Sequence, residues 1–211
     1  MTNFIPIFPL GIVVFPDEQL NVHIFEPKYK QLIHDSLKNK KSFGIPAVIN
    51  GAITNMGTLV MVIEITKTYP NGEMDIKTQG LQVFSILEIV KEIPEKLYNG
   101  AIVTYPNNNL QGNRTLMNNV IDSIKKLHIQ LQVTKDFKKP LDALWSYDVA
   151  HHAGLTLHQE YELLQLLHEL QRQEYLKQHL QKVLSVINEM ELLKQKIQLN
   201  GHFKNLSGFD V

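Results

Sequence analysis

The chain of 211 residues contains no cysteine. Disulfide bonds, thiolate metal ligands and a cysteine nucleophile are therefore excluded, and a reducing cytoplasm is the expected compartment. Neither sign of charge is in excess, because 21 Lys and Arg residues balance 21 Asp and Glu residues. Without a basic excess the molecule has no overall field to attract phosphate backbones or anionic lipid, so we expect neither nucleic acid nor a membrane as its partner.

Long hydrophobic runs are also missing, and no stretch approaches the roughly 18 apolar residues that a membrane-spanning helix needs. The first apolar run is FPLGIVVFP at 8–16. Prolines interrupt it and no Lys or Arg precedes Lys28, so it lacks the build of an export signal. This run is therefore predicted to be part of the fold.

Motifs of common catalytic and nucleotide sites are absent as well. The sequence has no GxxxxGK[ST] loop, no dinucleotide glycine fingerprint and no GxSxG. His151, His152 and His158 form the densest group of potential metal ligands. Adjacent helical residues point about 100° apart, and Gly154 interrupts the group, so these side chains are not expected to converge on one ion. We expect no catalytic residue, no metal and no cofactor.

The first 105 residues have the pattern of strands around one helix. Proline fixes φ and donates no hydrogen bond, so the start of the chain is predicted to be extended, with 12–15 as a buried strand. Residues 19–25 alternate between apolar and polar side chains, as a half-buried strand does. The Glu-Pro pair at 26–27 then opens a helix that we expect to end near Asn39.

An Asn-Gly pair at 71–72 is the strongest local signal in this half. Both residues readily adopt the positive φ that a type I′ turn requires, so residues 58–79 are predicted to form a hairpin. The run at 59–65 is apolar on both faces, which indicates a sheet covered on both sides or closed into a barrel. A further strand at 98–105 completes about six.

Residues 106–113 are rich in turn-forming Asn and Gly, and the pattern beyond them is helical. We therefore place a domain boundary there, with a β domain at 1–105 and a helical bundle at 115–211. Thr156 and Gln159 have the spacing of a capping box, so they predict the start of a helix that runs to about Gln171.

The last helix is predicted to be the longest, because apolar residues recur in it every three or four positions. We expect this stripe to pack within its own bundle or on the barrel. A weak homodimeric coiled coil is the alternative, since about three heptads are present. The stripe consists of Leu176, Leu180, Val183, Ile187, Met190 and Ile197.

A family resemblance is carried by PIFPLGIVVFPDEQLNVHIFEPKYKQLIHDSL at 6–37. This segment resembles the start of the Lon protease N-terminal domain, in which Pro-Leu-(Phe/Leu)-Pro-Leu, a Val-rich run and Phe-Pro precede Leu-x-(Ile/Val)-Phe-(Glu/Asp). GTLVMVIEI at 57–65 and MDIKTQGLQVFSILEI at 74–89 resemble later strands of that domain. The helical residues 155–197 extend the resemblance to about 4–198.

The resemblance implies an α+β fold, with a PUA-like β-barrel of about six strands and one helix followed by an all-α helical bundle. It also implies that this region captures protein substrates. In full-length Lon, an ATPase module and a Ser-Lys peptidase module come after the region. We expect a stand-alone bacterial form of this region that is not an enzyme. Its expected partners are unfolded or hydrophobic protein segments.

Aromatic residues of the β half are the candidate binding surface. An extended peptide can add to an accessible sheet edge and place alternate side chains in apolar pockets, and aromatic rings give large contact areas. The alternatives are RNA binding, as in other PUA-like barrels, and a role as adaptor or regulator of full-length Lon. The candidate residues for protein binding are Phe15, Pro16, Phe25 and Tyr69, and those for RNA are Lys28, Lys30, Lys38, Lys40 and Lys41.

Overall fold

The computed structural model describes residues 2–202. The end of the predicted helical domain, 203–211, lies outside this range. Six strands form one antiparallel sheet in the order β1-β6-β5-β4-β3, and β2 pairs with β5 beside this path. The strands are β1 (Thr2–Pro6), β2 (Gln19–Ile24), β3 (Phe43–Ile49), β4 (Ala52–Thr68), β5 (Met74–Val90) and β6 (Gly100–Thr104).

The predicted hairpin around Asn71-Gly72 is confirmed, and its strands β4 and β5 have 17 residues each. The turn itself differs from the prediction. Only Gly72 of the pair has positive φ, at 75°, and its N–H donates to the Tyr69 carbonyl. Pro70 holds φ near −65° at the first corner, which favours a type I turn followed by a left-handed glycine over type I′.

The start of the chain closes the sheet into a barrel. Residues 7–10 follow β1 directly and pair with β3 in parallel bridges, Ile7 with Gly44 and Leu10 with Ala47. This joins β1, at one end of the sheet, to β3 at the other. The predicted strand at 12–15 is wrong, because these residues form no ladder, although Val13, Val14 and Phe15 are buried as expected. The flanking prolines lack the N–H groups that a ladder needs.

Five α-helices accompany the sheet in the described residues. Helix α1 is confirmed at its predicted position and covers one end of the barrel core with Leu32 and Ile33. Short 3₁₀ turns at Leu141–Ala143 and Ala150–His152 flank α3. The helices are α1 (Pro27–Asn39), α2 (Arg114–Leu131), α3 (Ser146–Val149), α4 (Leu157–Gln165) and α5 (Glu169–His202).

The capping box of α4 is confirmed. The Gln159 N–H donates to the Thr156 hydroxyl at 3.3 Å, and the Thr156 N–H donates to the Gln159 side chain at 2.9 Å. The helix ends at Gln165, earlier than predicted. The backbone beyond it pairs with the linker instead, since Asn109 exchanges hydrogen bonds with Leu167 and Glu169.

The barrel and the helices share one hydrophobic core. The largest buried cluster combines Phe15 and Val83 of the β half with Ile124 of α2 and Leu180 of α5. The apolar stripe of α5 is thus partly confirmed as a bundle contact, because Leu176 and Leu180 are buried and Val183 and Ile187 pack against this core. Its continuation, Met190 and Ile197, is exposed.

Candidate binding surfaces

The structure places the four predicted protein-binding residues in two separate regions. Phe15 and Pro16 lie where the barrel meets the helices, whereas Phe25 and Tyr69 lie near the tip of the β4–β5 hairpin. Phe15 is 0 % exposed. Its ring centroid lies 5.2 Å from Tyr147 and 5.1 Å from His151. The expectation that Phe15 contributes to an open surface is therefore corrected: the helices cover it.

Phe25 and Tyr69 come together around the ring of His23. Phe25 is 58 % exposed and its ring centroid is 6.1 Å from His23, whereas the partly buried Tyr69 lies 5.6 Å from His23. The His23 Nδ1 lies 2.6 Å from Asp75, and the Tyr69 hydroxyl donates to the other oxygen of Asp75 at 2.8 Å. The hydrogen bond to Asp75 raises the pKa of His23. This cluster fixes β2 to the hairpin and leaves the Phe25 ring in solvent.

The second half of β4 is an open sheet edge. β3 pairs with β4 only as far as Val60, which lies opposite Phe43 at the start of β3. From 61 to 68, β4 pairs with β5 on one side. Within residues 2–202, no strand or loop pairs with the backbone on its other side. We call this segment, 61–68, the β4 edge surface.

Apolar side chains on the β4 edge surface are exposed. Met61 and Ile63 are each 45 % exposed and Ile65 is 39 % exposed. The apolar run at 59–65 was predicted to lie in a sheet that is covered on both sides or closed into a barrel. Leu59 and Val60 are buried and Val62 packs against the barrel core, so the barrel accounts for one face of the run. The other face is not covered, and its apolar residues are the exposed ones. The signal in the sequence was the length of the apolar run. The run continues past the last residue of β4 that pairs with β3.

A cavity of about 710 Å³ lies between the barrel and the helices. The barrel wall is built by the loop before β2 together with Gln79 of β5, and the opposite wall by the loop after α2 and by α3 with its following turn. Leu144 and Tyr147 contribute apolar surface. The lining residues that carry charge or an imidazole are Asp17, Glu18, Lys135, Lys138, Lys139, Asp148, His151 and His152.

His151 bridges the two sides of this cavity. Its Nε2 lies 3.1 Å from Glu18 of the barrel and its Nδ1 lies 2.7 Å from Glu160 of α4. Burial lowers the pKa of His151, but the hydrogen bonds to Glu160 and Glu18 outweigh this effect and raise it to about 9. Sequence pattern could not pair Glu18 with Glu160, because 142 positions of chain separate them and only the fold brings both to one imidazole.

Next to it, His152 is neutral. Burial, with the nearby positive charge of Lys135, lowers the pKa of His152 to about 4.

The described residues contain no group of three or more side chains suited to hold a metal ion. The helices between residues 2 and 202 include none with both the length and the apolarity to cross a bilayer.

The lysines proposed for RNA are partly engaged in contacts of their own. Lys28 lies 2.9 Å from Glu26, and the Lys30 ammonium donates to the Asn71 carbonyl at 3.1 Å. Lys38, Lys40 and Lys41 follow at the exposed end of α1. The lysines without such contacts therefore form a short cluster at the end of α1. They do not form the continuous basic face that would attract an RNA backbone.

Comparison with known proteins gives a consistent result. The family model of the ATP-dependent protease La (LON) substrate-binding domain matches residues 5–188. The Lon N-terminal domain protein from Xanthomonas campestris superposes with a TM-score of 0.65 at 19 % identity, covering 82 % of this chain and 96 % of that chain. For the N-terminal domain of Mycobacterium avium complex Lon protease the TM-score is 0.60 at 13 % identity, covering 85 % and 98 %. No curated protein matches the chain. The predicted α+β fold class is confirmed.

Proposed function

The chain belongs to the Lon substrate-binding domain family, and from this premise we propose that it binds unfolded, apolar segments of other proteins at the β4 edge surface. The family model describes a binding domain, so the proposal contains no catalytic step. The observation that carries the proposal is an open strand edge whose apolar side chains are exposed.

The backbone of the β4 edge surface selects an extended partner. Its outward N–H and C=O groups have no partner among the described residues, so an added strand can complete the ladder. A folded protein has already paired such groups within its own sheets, whereas an unfolded segment has them available. Hydrogen bonds to the backbone are independent of side-chain identity, which suits a site that accepts many sequences.

The side chains of this surface favour apolar segments without strong charge. Met61, Ile63 and Ile65 supply the apolar contact, and methionine adapts to partners of different shape. Glu64 and Lys67 lie on the same segment and have opposite charges. A strongly acidic or strongly basic segment therefore gains no net attraction here. Phe25, beyond the end of β2, adds an exposed aromatic ring near the tip of the same hairpin.

Substitution of one edge residue tests the proposal. We expect Ile63→Glu to weaken binding of a labelled, permanently unfolded protein by about tenfold, or roughly 1.4 kcal/mol, because it puts a charge into an apolar contact. Fluorescence anisotropy measures the affinity. Leu97→Glu is the matched control, since Leu97 is also an exposed leucine-sized side chain and lies in the loop before β6. Equal affinity of wild type and Ile63→Glu would reject this surface.

A role beside full-length Lon in the bacterial cytoplasm is part of the same proposal and is supported by family membership. Affinity capture from a bacterial lysate distinguishes the two versions. Capture of Lon by wild type and by Ile63→Glu alike would indicate an adaptor with a separate contact. Capture of a broad set of unfolded proteins that Ile63→Glu abolishes would indicate direct substrate binding.

A further inference from the structure

The cavity between the barrel and the helices is separate from the β4 edge surface and has the dimensions of a small-molecule site. Its volume of about 710 Å³ falls within the range of roughly 300–1,000 Å³ that is usual for ligand pockets. Pro16, Leu144 and Tyr147 give it an apolar lining, and Leu144 is fully buried. The remaining lining is polar and charged, as in sites that orient a ligand by a few specific contacts.

The charges of the cavity do not cancel locally. Lys139 is paired with Asp148 at 2.7 Å, and His151 is paired with Glu18 and Glu160. Lys135 donates to the His151 carbonyl at 2.7 Å, a contact that leaves its charge without a counter-ion. In the part of the chain that the structure describes, no carboxylate lies within ion-pair distance of Lys135 or Lys138.

The two walls therefore differ in sign. Lys135 and Lys138 lie on the wall formed by the loop after α2, whereas Asp17 lies on the barrel wall with Gln19 and Gln79. Asp17 likewise has no ion-pair partner among residues 2–202. An anionic group is attracted to the first wall, and hydroxyl or ammonium donors are attracted to the second.

His152 provides an independent indication of a ligand. Its side chain lines the cavity, the residue is only 8 % exposed, and its buried Nδ1 has no hydrogen-bond partner. A buried polar atom without a partner destabilises the folded state, so such atoms are rare unless something else satisfies them. The Phe137 ring lies against the imidazole, with the centroids 4.7 Å apart and the ring planes tilted by 38°. Nδ1 itself has less than 1 Å² of accessible surface, so a ligand in the cavity forms a hydrogen bond to it only when the imidazole turns towards the cavity.

We propose that this cavity binds a small organic anion, a molecule of metabolite size with a carboxylate or phosphate group at one end and hydrogen-bond donors at the other. Lys135 and Lys138 bind the anionic group. Tyr147 and Leu144 contact the body of the ligand, and the imidazole of His152 turns to form a hydrogen bond to it through Nδ1. The donors of the ligand face Asp17. Because the ligand contacts both walls, its binding stabilises the junction between barrel and helices.

Thermal unfolding and NMR of the full chain test this site with defined probes. The probes are L-glutamate, citrate, AMP and inorganic phosphate at millimolar concentration, each compared with potassium chloride at equal ionic strength. We expect at least one organic probe to raise the melting temperature, because a ligand that binds only the folded state stabilises it. The same probe should shift the ring resonances of His152, which His152→Asn identifies by their loss. Glutamate and citrate against AMP distinguish a carboxylate ligand from a phosphate ligand.

Two double variants that each remove two positive charges show whether the anion binds in the cavity. The double variant Lys135→Gln, Lys138→Gln is expected to weaken the apparent affinity by about tenfold or more, since it removes both charges that attract the anionic group. Lys38→Gln with Lys41→Gln removes the same charge from the exposed end of α1 and should bind as wild type does. Lys138→Gln alone provides the test if the double variant does not fold, because the Lys138 side chain forms no hydrogen bond or ion pair among residues 2–202.

Three outcomes would overturn the proposal. The first is that no probe changes the melting temperature or the His152 resonances. The second is that the cavity variant binds as tightly as wild type. The third is that both double variants lose affinity equally, which would mean that the anions act on net charge alone. None of these outcomes bears on polypeptide binding at the β4 edge surface.

Discussion

His151 joins the barrel to the C-terminal helices by charge. It is a half-buried imidazole between the carboxylates of Glu18 and Glu160, and its ring lies at a tilt against the buried Phe15 ring. Its raised pKa means that the folded protein holds the proton more tightly than the unfolded chain does. The stability that His151 contributes therefore depends on pH.

Replacement of His151 should have its largest effect at mildly acidic pH. A raised pKa in the folded state gives stability that is fully present below the unfolded value of 6.5 and is lost as pH rises through about 9. We expect the melting temperature of His151→Gln to lie below that of wild type at pH 6, and the gap to narrow as pH approaches 10. The measurement is thermal unfolding across this window. His34→Gln, at an exposed position of α1, should show no such trend, and a gap of constant size for His151→Gln would contradict the assignment.

The exposure of a candidate binding residue could be predicted from the sequence only where its near neighbours in the chain determine it. The sequence predicted aromatic contact residues, and Phe25 is indeed in solvent. Phe15 has the same residue type and a comparable local pattern, yet it is buried because Tyr147 lies against it from 132 positions later in the chain. No property of the first 20 residues specifies that contact, so the burial of Phe15 could not be predicted locally.

At the scale of elements, the junction between α4 and α5 depends on a buried ion pair. The Arg172 guanidinium lies 2.9 Å from Glu169, and side-chain exposure of the two is 0 % and 2 %. Ser146 donates its backbone N–H to Glu169, and Arg172 donates to Asn108 of the linker at 2.8 Å. The network connects the linker, α3 and the start of α5.

Loss of one member of this pair should be costly. Glu169→Gln leaves the Arg172 charge buried without a counter-ion, so we expect it to lower the free energy of unfolding by about 3–5 kcal/mol. The matched control on the same helix is Glu174→Gln, which removes an exposed pair with Lys177 at 3.1 Å and should have a much smaller effect, because solvent screens that pair. Urea denaturation measures both values. Similar values for the two variants would show that Arg172 finds other compensation.

Elements with local signals were predicted well, and those set by distant contacts were not. α1 begins with a proline, the β4–β5 hairpin turns at a proline and a glycine, and α4 begins with a capping box; each signal lies within a few residues of the element. The break at 166–168 has no such signal, because apolar residues continue through it. Its cause is pairing of the backbone with Asn109, about 60 positions earlier in the chain.

At the scale of the whole molecule, pattern and family resemblance together predicted the α+β architecture. They did not predict how the two halves meet. The shared core contains Phe15 and Val83 on one side and Ile124 and Leu180 on the other, so the barrel and helices bury apolar surface that neither could cover alone. The division at 106–113 therefore remains a proposal about sequence organisation. The largest buried cluster spans it, and two further clusters lie within the barrel and α1.

The outer half of α5 extends beyond that core with an unpartnered apolar seam. Val186, Met190, Leu193 and Ile197 follow at spacings of four, three and four residues, and each is more than half exposed. This is the spacing of a coiled-coil interface. Glu189 and Lys196 are charges of opposite sign beside the seam. The seam is short, and only weak association is expected from it.

We therefore predict a weak, concentration-dependent homodimer through α5, with a dissociation constant in the micromolar range or above. Sedimentation equilibrium measures it. Met190→Lys with Leu193→Lys should leave a monomer at every concentration, because a charge within the seam must be desolvated on pairing. Leu97→Lys with Leu110→Lys makes the same change at two exposed leucines outside α5 and should associate as wild type does.

High salt should weaken the wild-type dimer only slightly, since the apolar seam supplies most of the energy and screening affects only the flanking charges. A wild-type chain that remains monomeric at millimolar concentration would contradict the prediction and leave the seam free for a different partner.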